Sequence, residues 1–285
     1  MLVVKLVGGL ASQLHKYAVG RALAERLNTE LLLDTTSYQG SAPKEAFSLA
    51  VNHFHINARP ASPEEIATAK GTAAITLRKL CRIIGQQPSA KLEKRVLRWF
   101  GHTQYKANIT KEGTQNFFDK IPPGKNAYIH GEWGAGFGFF EDIRPLLLQE
   151  FQLKCLSEEA LVVKKQIAEE HAAVSLHVRR GDYVSNPAAA KLHGTSPIDY
   201  YTAAVDHVQR QVTDPRFFVF SDDLAWCRKN LAGVVPHDTV FVEGFPGHED
   251  FHLLSQCKHN IIANSGFSAL SAWLNRNPDK LIVSP

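Results

Sequence analysis

Apolar positions in this chain come in short β-branched runs set between helical stretches, the alternation expected of parallel α/β units. Leu2-Val3-Val4-Lys5-Leu6-Val7 reads as a strand, Gly8-Gly9 breaks it, and Ser12 is placed to cap a helix running to about Leu27. Leu31 to Leu33 resumes as strand, giving a βαβ unit whose first loop lies at the carboxyl end of a parallel strand. A second helix start is explicit at Ser62-Pro63-Glu64-Glu65, with a cap, a proline at the first helical position and a glutamate three residues after the cap. The middle of this half reads as mostly helical.

Between Phe151 and His171 the pattern becomes one helix opened by Ser157-Glu158-Glu159, and a boundary near residue 155 divides the chain into domains 1–155 and 156–285. Beyond it, strands are predicted at Ala173 to Val178, Phe217 to Phe220, Thr239 to Val242, Asn260 to Ala263 and Leu281 to Val283. Helices fill most gaps, one of them launched by Ser196-Pro197-Ile198-Asp199.

Composition narrows the function classes. The length of 285 residues and a hydrophobic content of 44% suit two domain cores, while a net charge of +4 with 21% charged residues excludes a nucleic-acid tail or a disordered chain. A small basic excess still suits an anionic ligand. Seven basic residues and one acid, Glu93, lie between Arg78 and Arg98. Lys91, Lys94, Arg95 and Arg98 follow one helical face, opposite Leu92, Val96, Trp99 and Phe100. A solvated face is the first reading of stretch 78–98, and peripheral contact with a membrane-bound acceptor is the second. Cys81, Cys155, Cys227 and Cys257 form no C-x-x-C pair, and no run of eighteen apolar residues occurs, so a cytoplasmic setting without a membrane span is expected.

In open parallel sheets, ligands bind beyond the carboxyl ends of the strands. In the second half those ends carry His177-Val178-Arg179-Arg180-Gly181-Asp182-Tyr183, Ser221-Asp222-Asp223, Glu243-Gly244 and Asn264-Ser265-Gly266-Phe267-Ser268. Two arginines, several hydroxyls and a helix amino terminus suit a diphosphate, and Asp222 or Asp223 suits a base or ribose. The bland alternative is an ion pair of Arg179 and Arg180 with Asp182 on a surface turn; both arginines serve one ligand only where the strand has ended and the chain has turned. Gly8-Gly9-Leu10-Ala11-Ser12-Gln13 lacks the Lys-Ser/Thr of a P-loop and does not fit G-x-G-x-x-G. His248-Glu249-Asp250-Phe251-His252 matches the zinc protease pattern H-E-x-x-H, yet no glutamate follows Glu249 and His259 is one position off the extended motif, so no metal site is assigned.

The run from His177 to Tyr183 resembles the H-x-R-R-G-D-Y motif of bacterial α-1,2-fucosyltransferases. Gly8-Gly9-Leu10 with Gln13 and Tyr17-Ala18, Phe220-Ser221-Asp222-Asp223 with Trp226-Cys227, Asp250-Phe251-His252-Leu253-Leu254-Ser255, and the block from Ser255 to Ser265 are similar to that family's further motifs in the same order. The resemblance implies an α/β fold of GT-B type, two Rossmann-like domains facing a cleft, and inverting transfer of L-fucose from GDP-fucose to the 2-hydroxyl of a galactose-terminated glycan, with no cofactor or metal. A GDP-sugar- or glycan-binding relative with little activity is the alternative. Carried over by position, Arg179 would stabilise the departing β-phosphate, Arg180 would hold the nucleotide, and Asp222 would read guanine or ribose. Ser221, Asn264, Ser265, Phe267 and Ser268 would complete the donor site. Asp182, with His177 beside it, is the candidate for taking the acceptor proton, and Gly8, Gly9, Ser12 and Gln13 would form an acceptor-side loop. Ala11-Ser12 stand where the family has Gly-Asn, and Ala269-Leu270 replace two aromatics, which bears on acceptor choice.

Overall fold

The computed structural model describes residues 1–39, 47–71, 83, 103–106 (backbone), 121, 124–131, 136–181, 184 and 194–285. It divides into two compact units, Met1–Phe151 and Gln152–Pro285. Among the described residues no helix is long and apolar enough to cross a membrane. The basic stretch 78–98 lies outside them apart from Ile83.

The first unit runs β1 (Leu2–Lys5), α1 (Leu10–Leu27), β2 (Leu31–Asp34), β3 (Arg59–Pro60), α2 (Pro63–Lys70), β4 (Thr103–Lys106), β5 (Ala127–His130) and α3 (Arg144–Glu150). Its strands form one parallel sheet in the order β3-β2-β1-β5-β4. The capping box at Ser62 forms as the sequence predicts: the Ser62 hydroxyl accepts from Glu65 N–H while the Glu65 carboxylate accepts from Ser62 N–H. Three expectations give way. Helix α1 starts at Leu10 with Gly9 as its N-cap, because Gln13 N–H already donates to Gly9 C=O, so Ser12 lies inside the first turn. Strand β1 ends at Lys5, as the chain turns toward Gly8 and its φ of +81°. The span read as mostly helical also holds β4, and β5 follows it; a four-residue run such as Ala-Tyr-Ile-His, with its first three residues buried, is too short for periodicity to separate strand from helix.

Helix α1 lies close on this sheet. A Cβ added at Gly20 would come within 2.8 Å of Val4 Cγ2 and 3.1 Å of Leu31 Cδ1. At the far end of the unit, Glu150 is buried, and it accepts from the Tyr17 hydroxyl at 2.6 Å and Arg21 Nε at 3.0 Å. That pairing ties α3 to α1 and removes the cost of an isolated buried carboxylate.

The second unit runs α4 (Glu158–Glu169), β6 (Ala173–Val178), α5 (Ile198–Gln211), β7 (Arg216–Ser221), α6 (Leu224–Asn230), β8 (Val240–Phe241), α7 (Gly247–Gln256), β9 (His259–Ile261), α8 (Gly266–Leu274) and β10 (Ile282–Val283). Its parallel sheet is ordered β10-β9-β6-β7-β8. Side-chain alternation sorts β6 and β7 onto two apolar layers. Val174, Leu176, Val178, Phe217 and Val219 pack with Tyr201, Val205 and Val208 of α5. Ala173, Phe218 and Phe220 pack with Leu253 and Leu254 of α7 and with Ala160 and Ile167 of α4. Burial on both faces is why these strands read as nearly continuous apolar runs. Pro197, one residue after the expected Ser196, holds the N-cap place of α5.

Replacing Gly20 by alanine is expected to destabilise the first unit by about 1–3 kcal/mol through overpacking against Val4 and Leu31, although alanine favours a helix. Chemical denaturation followed by circular dichroism checks this; a stabilised variant would contradict the close packing.

Candidate donor site

Strand β6 ends at Val178, so both arginines leave the sheet on the chain that follows it. The Arg179 guanidinium meets the Asp222 carboxylate, at the end of β7, at 2.8 Å. The other Asp222 oxygen accepts from Arg180 N–H, also at 2.8 Å. Gly181 is required there, since a Cβ would lie 2.5 Å from Asp222 Oδ2. Arg180 turns the other way: Nε donates to Asp223 at 3.1 Å, and its guanidinium lies over the Trp226 ring, 4.2 Å from the centroid. Its terminal nitrogens carry no hydrogen bond among the described residues. Asp223 itself caps α6 by accepting from Trp226 N–H, and this bond, with Arg180 adding to it, holds its carboxyl below the ordinary aspartate value.

The arginines therefore pair with Asp222 and Asp223. Asp182, the partner in the surface-turn alternative and the candidate base, lies outside the described residues. The Arg179–Asp222 pair is partly exposed, with side-chain accessibilities of 29% and 25%. Pairs so placed contribute about 0–1 kcal/mol, so exchanging the carboxylate for a more highly charged phosphate costs little.

His177 faces the opposite side of β6 and is only 5% exposed. Its ring stacks on Phe267, with centroids 5.3 Å apart, and Phe251 meets the same Phe267 ring edge-on. Burial, helped by the Arg179 charge, lowers its pKa to about 3. A group that binds a proton so weakly is a poor base near neutrality, which weighs against proton transfer by His177. Its Nδ1 is instead a buried polar atom without a partner, suited to hydrogen bonding a ligand.

The hydroxyls expected around the ligand mostly serve the chain. Ser221 Oγ accepts from Asp223 N–H, and Ser268, fully buried, accepts from Ala263 N–H. Ser265 caps α8 through Phe267 N–H, and Asn264 is exposed beside it. The other end of α8 is closed by Lys280 Nζ, which donates to the carbonyls of Ala272, Trp273 and Asn275. Below the helix, Asn260 donates to Ser175 Oγ and Leu254 C=O and accepts from Asn275, linking β9, β6 and α7. In the first unit, Gln13 is fully buried and spends its amide on the backbone of Gly8, Ser48, Ala50 and Val51. Expected on the acceptor-side loop, it fastens that loop from beneath.

Glu249 of the H-E-x-x-H match has partners within the fold. Its carboxylate accepts from Ser157 N–H and Oγ–H at 2.7 and 2.8 Å, joining α7 to the start of α4, so the base of a zinc hydrolase is already committed. The residue next to it was missed. Burial, with Glu249 adding to it, pushes the Asp250 carboxyl up to about 7, and its Oδ1 has no partner. The signal was present in the Asp250-Phe251 block, one of the motifs that carry the family resemblance.

The model of glycosyl transferase family 11 matches residues 64–284. The chain belongs to glycosyl transferase family 11. It is 30% identical over 292 residues to the O-antigen biosynthesis glycosyltransferase WbnK of Escherichia coli, covering 98% of this chain and 92% of that one. It is also 30% identical over 290 residues to an α-1,2-colitosyltransferase of Escherichia coli, covering 100% and 91%. Galactoside α-(1,2)-fucosyltransferase 2 of Mus musculus matches at 32% over 161 residues, 53% of this chain and 46% of that protein. Among solved structures, POFUT1 in complex with GDP superposes with a TM-score of 0.53 at 11% identity over 99% of this chain and 98% of that one. The α-1,6-fucosyltransferase NodZ soaked with GDP-fucose gives 0.52 at 16%, over 96% and 91%. The family 11 chain thus has the α/β fold of GT-B type that its sequence implies.

The His177 site makes a pH prediction. Its folded pKa of about 3 lies below the unfolded value near 6.5, so the unfolded chain binds more protons between them. The His177 contribution is complete above pH 6.5 and is lost as pH falls. Asp250, raised to about 7, acts with the opposite sign over its own window, and comparing variants cancels it. In denaturation series from pH 6 to 4, His177→Gln is expected to lose about 1.4 kcal/mol per pH unit of the wild-type acid dependence. Parallel slopes would place a charged imidazole in the fold.

Proposed function

We propose that this family 11 protein is an inverting glycosyltransferase that moves L-fucose from GDP-fucose to the 2-hydroxyl of a β-galactoside. The observation that carries the reading is the placement of Arg179 and Arg180 past the end of β6, one on an exchangeable carboxylate and the other braced on Trp226 and Asp223, its terminal nitrogens unused among the described residues. In this reaction the bond from fucose C1 to the β-phosphate oxygen breaks as C1 bonds to the galactose 2-oxygen. GDP departs, and the acceptor hydroxyl releases its proton. Negative charge grows on the phosphate during that step, and a guanidinium already in place stabilises it more than it stabilises the ground state.

In this reading Arg179 passes from Asp222 to the β-phosphate, and Arg180 binds the diphosphate with its free edge. Asp222 then acts by positioning Arg179, in place of reading the base. The His177 ring, with its unpartnered Nδ1, stacks on Phe267, and Asp250, whose Oδ1 is also unpartnered, directly precedes the Phe251 that meets Phe267 edge-on; we propose that these two atoms serve the hydrogen-bonding edge of guanine, whose N1–H and N2–H donors match a carboxylate. Asp182 stays our candidate for taking the acceptor proton. Two guanidinium groups supply the positive charge, so we propose that no metal is needed. The α-1,2-fucosyltransferase and GDP-fucose-soaked relatives support a fucosyl donor. A second reading, a colitosyl donor, is favoured by the colitosyltransferase match across the whole chain. Colitose is fucose without its 3-hydroxyl, so the two readings share the diphosphate site and differ at one sugar position.

Incubating the protein with lactose, EDTA and either GDP-fucose or GDP-colitose tests this. Fucosylated lactose formed despite chelation is expected. Arg179→Ala should lower turnover at least about a hundredfold, near 3 kcal/mol, and Arg179→Lys should fail as well, because a point charge does not reproduce the planar fork. Exclusive use of GDP-colitose would select the second reading. GDP-fucose binding without transfer to any galactoside, or wild-type turnover by Arg179→Ala, would contradict the proposal.

A further inference from the structure

In the first unit the sheet reverses direction of growth at β1: the chain passes to β2 and β3 on one side and later returns to β5 on the other. The carboxyl ends at such a switch point border the usual ligand crevice of an open parallel sheet. The chain leaving β1 there is the Gly8-Gly9 turn. Gly8 has a φ of +81°, and its carbonyl accepts from both Gln13 Nε2 at 2.9 Å and the Tyr38 hydroxyl at 2.8 Å.

Phe47 lies against this turn. A Cβ placed on Gly9 would be 3.5 Å from Phe47 Cδ1, an ordinary van der Waals contact, so the ring lies beside the turn within reach of a side chain at that position. Phe47 is nevertheless 48% exposed. Exposure alone says little, since single apolar residues on a surface are common. The support beneath this one is what sets it apart. Gln13 donates to Ser48 C=O at 2.9 Å and accepts from Ala50 N–H at 2.7 Å and Val51 N–H at 3.3 Å. One buried side chain thus locks the segment directly after Phe47 to the turn beside which its ring lies. An aromatic face held on fixed backbone at a switch point is pre-organised for a flat, largely uncharged ligand. No acidic residue stands in the first turn of α1, and Ser12 exposes a hydroxyl there.

We infer that Phe47 is the stacking platform of an acceptor subsite, receiving the apolar face of the terminal galactose ring. This rests on the β-galactoside acceptor proposed above. The axial 4-hydroxyl of β-galactose leaves one face of the ring with contiguous C–H bonds, the face an aromatic ring accepts. Gln13 acts as a positioning residue beneath Phe47.

The test uses the full chain with GDP-fucose and lactose, and separately methyl β-galactoside binding by saturation-transfer NMR, which needs no turnover. Phe47→Leu, which keeps apolar bulk without a ring face, is expected to raise the acceptor KM about tenfold or more and to abolish saturation transfer. Phe47→Trp should keep both. The KM for GDP-fucose and its slow hydrolysis without acceptor should stay within about twofold in each variant. Galactoside binding that depends on Phe47 in a protein that transfers no fucose would sustain the subsite and defeat the proposed reaction. Transfer by Phe47→Leu with an unchanged acceptor KM would overturn the subsite and leave the reaction standing. Equal loss of donor and acceptor affinity would also overturn it, by making Phe47 a mere support of the turn.

Discussion

The carboxylate of Asp222 is the constraint around which the second unit's site is arranged. It accepts from the Arg179 guanidinium with one oxygen and from Arg180 N–H with the other, and Gly181 leaves it room. Because the backbone N–H is held, the chain past β6 is fixed in direction, and the two arginine side chains separate into different tasks. Arg179 is held by a weak, partly exposed pair that a ligand can replace. Arg180 is braced on Trp226 and Asp223, which lowers the entropy it would lose on binding an anion.

Behind this arrangement lies a polar frame that touches no ligand position. Asn260 and Asn275 connect two strands to the far end of α8, and Lys280 satisfies that helix's last carbonyls. Buried amides are costly unless every group is paired, and here they are used in full, so α8 is held from its carboxyl end while Phe267 at its start stacks on His177. The first unit follows the same logic with a different residue, since Gln13 spends its whole amide on the backbone around the Gly8 turn. In both units a buried amide organises a surface loop.

Much of the fold was legible because local signals agreed with tertiary packing. The capping box at Ser62, the helix opened by Ser157 and the apolar runs of β6 and β7 needed only propensity and pattern. Strands β3, β4 and β5 were not legible. Two to four residues carry no period, and their pairing partners are distant in sequence. At the site, strand-end position was enough to single out Arg179, Arg180 and Asp222, while their division of labour was not. That Asp222 pairs with Arg179, that Trp226 supports Arg180 and that Asp250 Oδ1 is buried without a hydrogen-bond partner depend on side-chain directions that spacing does not determine. The orientation of Gln13 was not legible either, because its four backbone partners are known only from the folded chain.

In the proposed reaction Arg179 exchanges its carboxylate partner for a diphosphate that Arg180 also binds. The most direct measurement is a crystal structure with GDP. The account predicts phosphate oxygens about 2.7–2.9 Å from both the Arg179 guanidinium and the terminal nitrogens of Arg180, with Arg179 moved off Asp222 and Arg180 still stacked on Trp226. GDP bound elsewhere, or bound with the Arg179–Asp222 pair intact and no phosphate contact to either arginine, would contradict it.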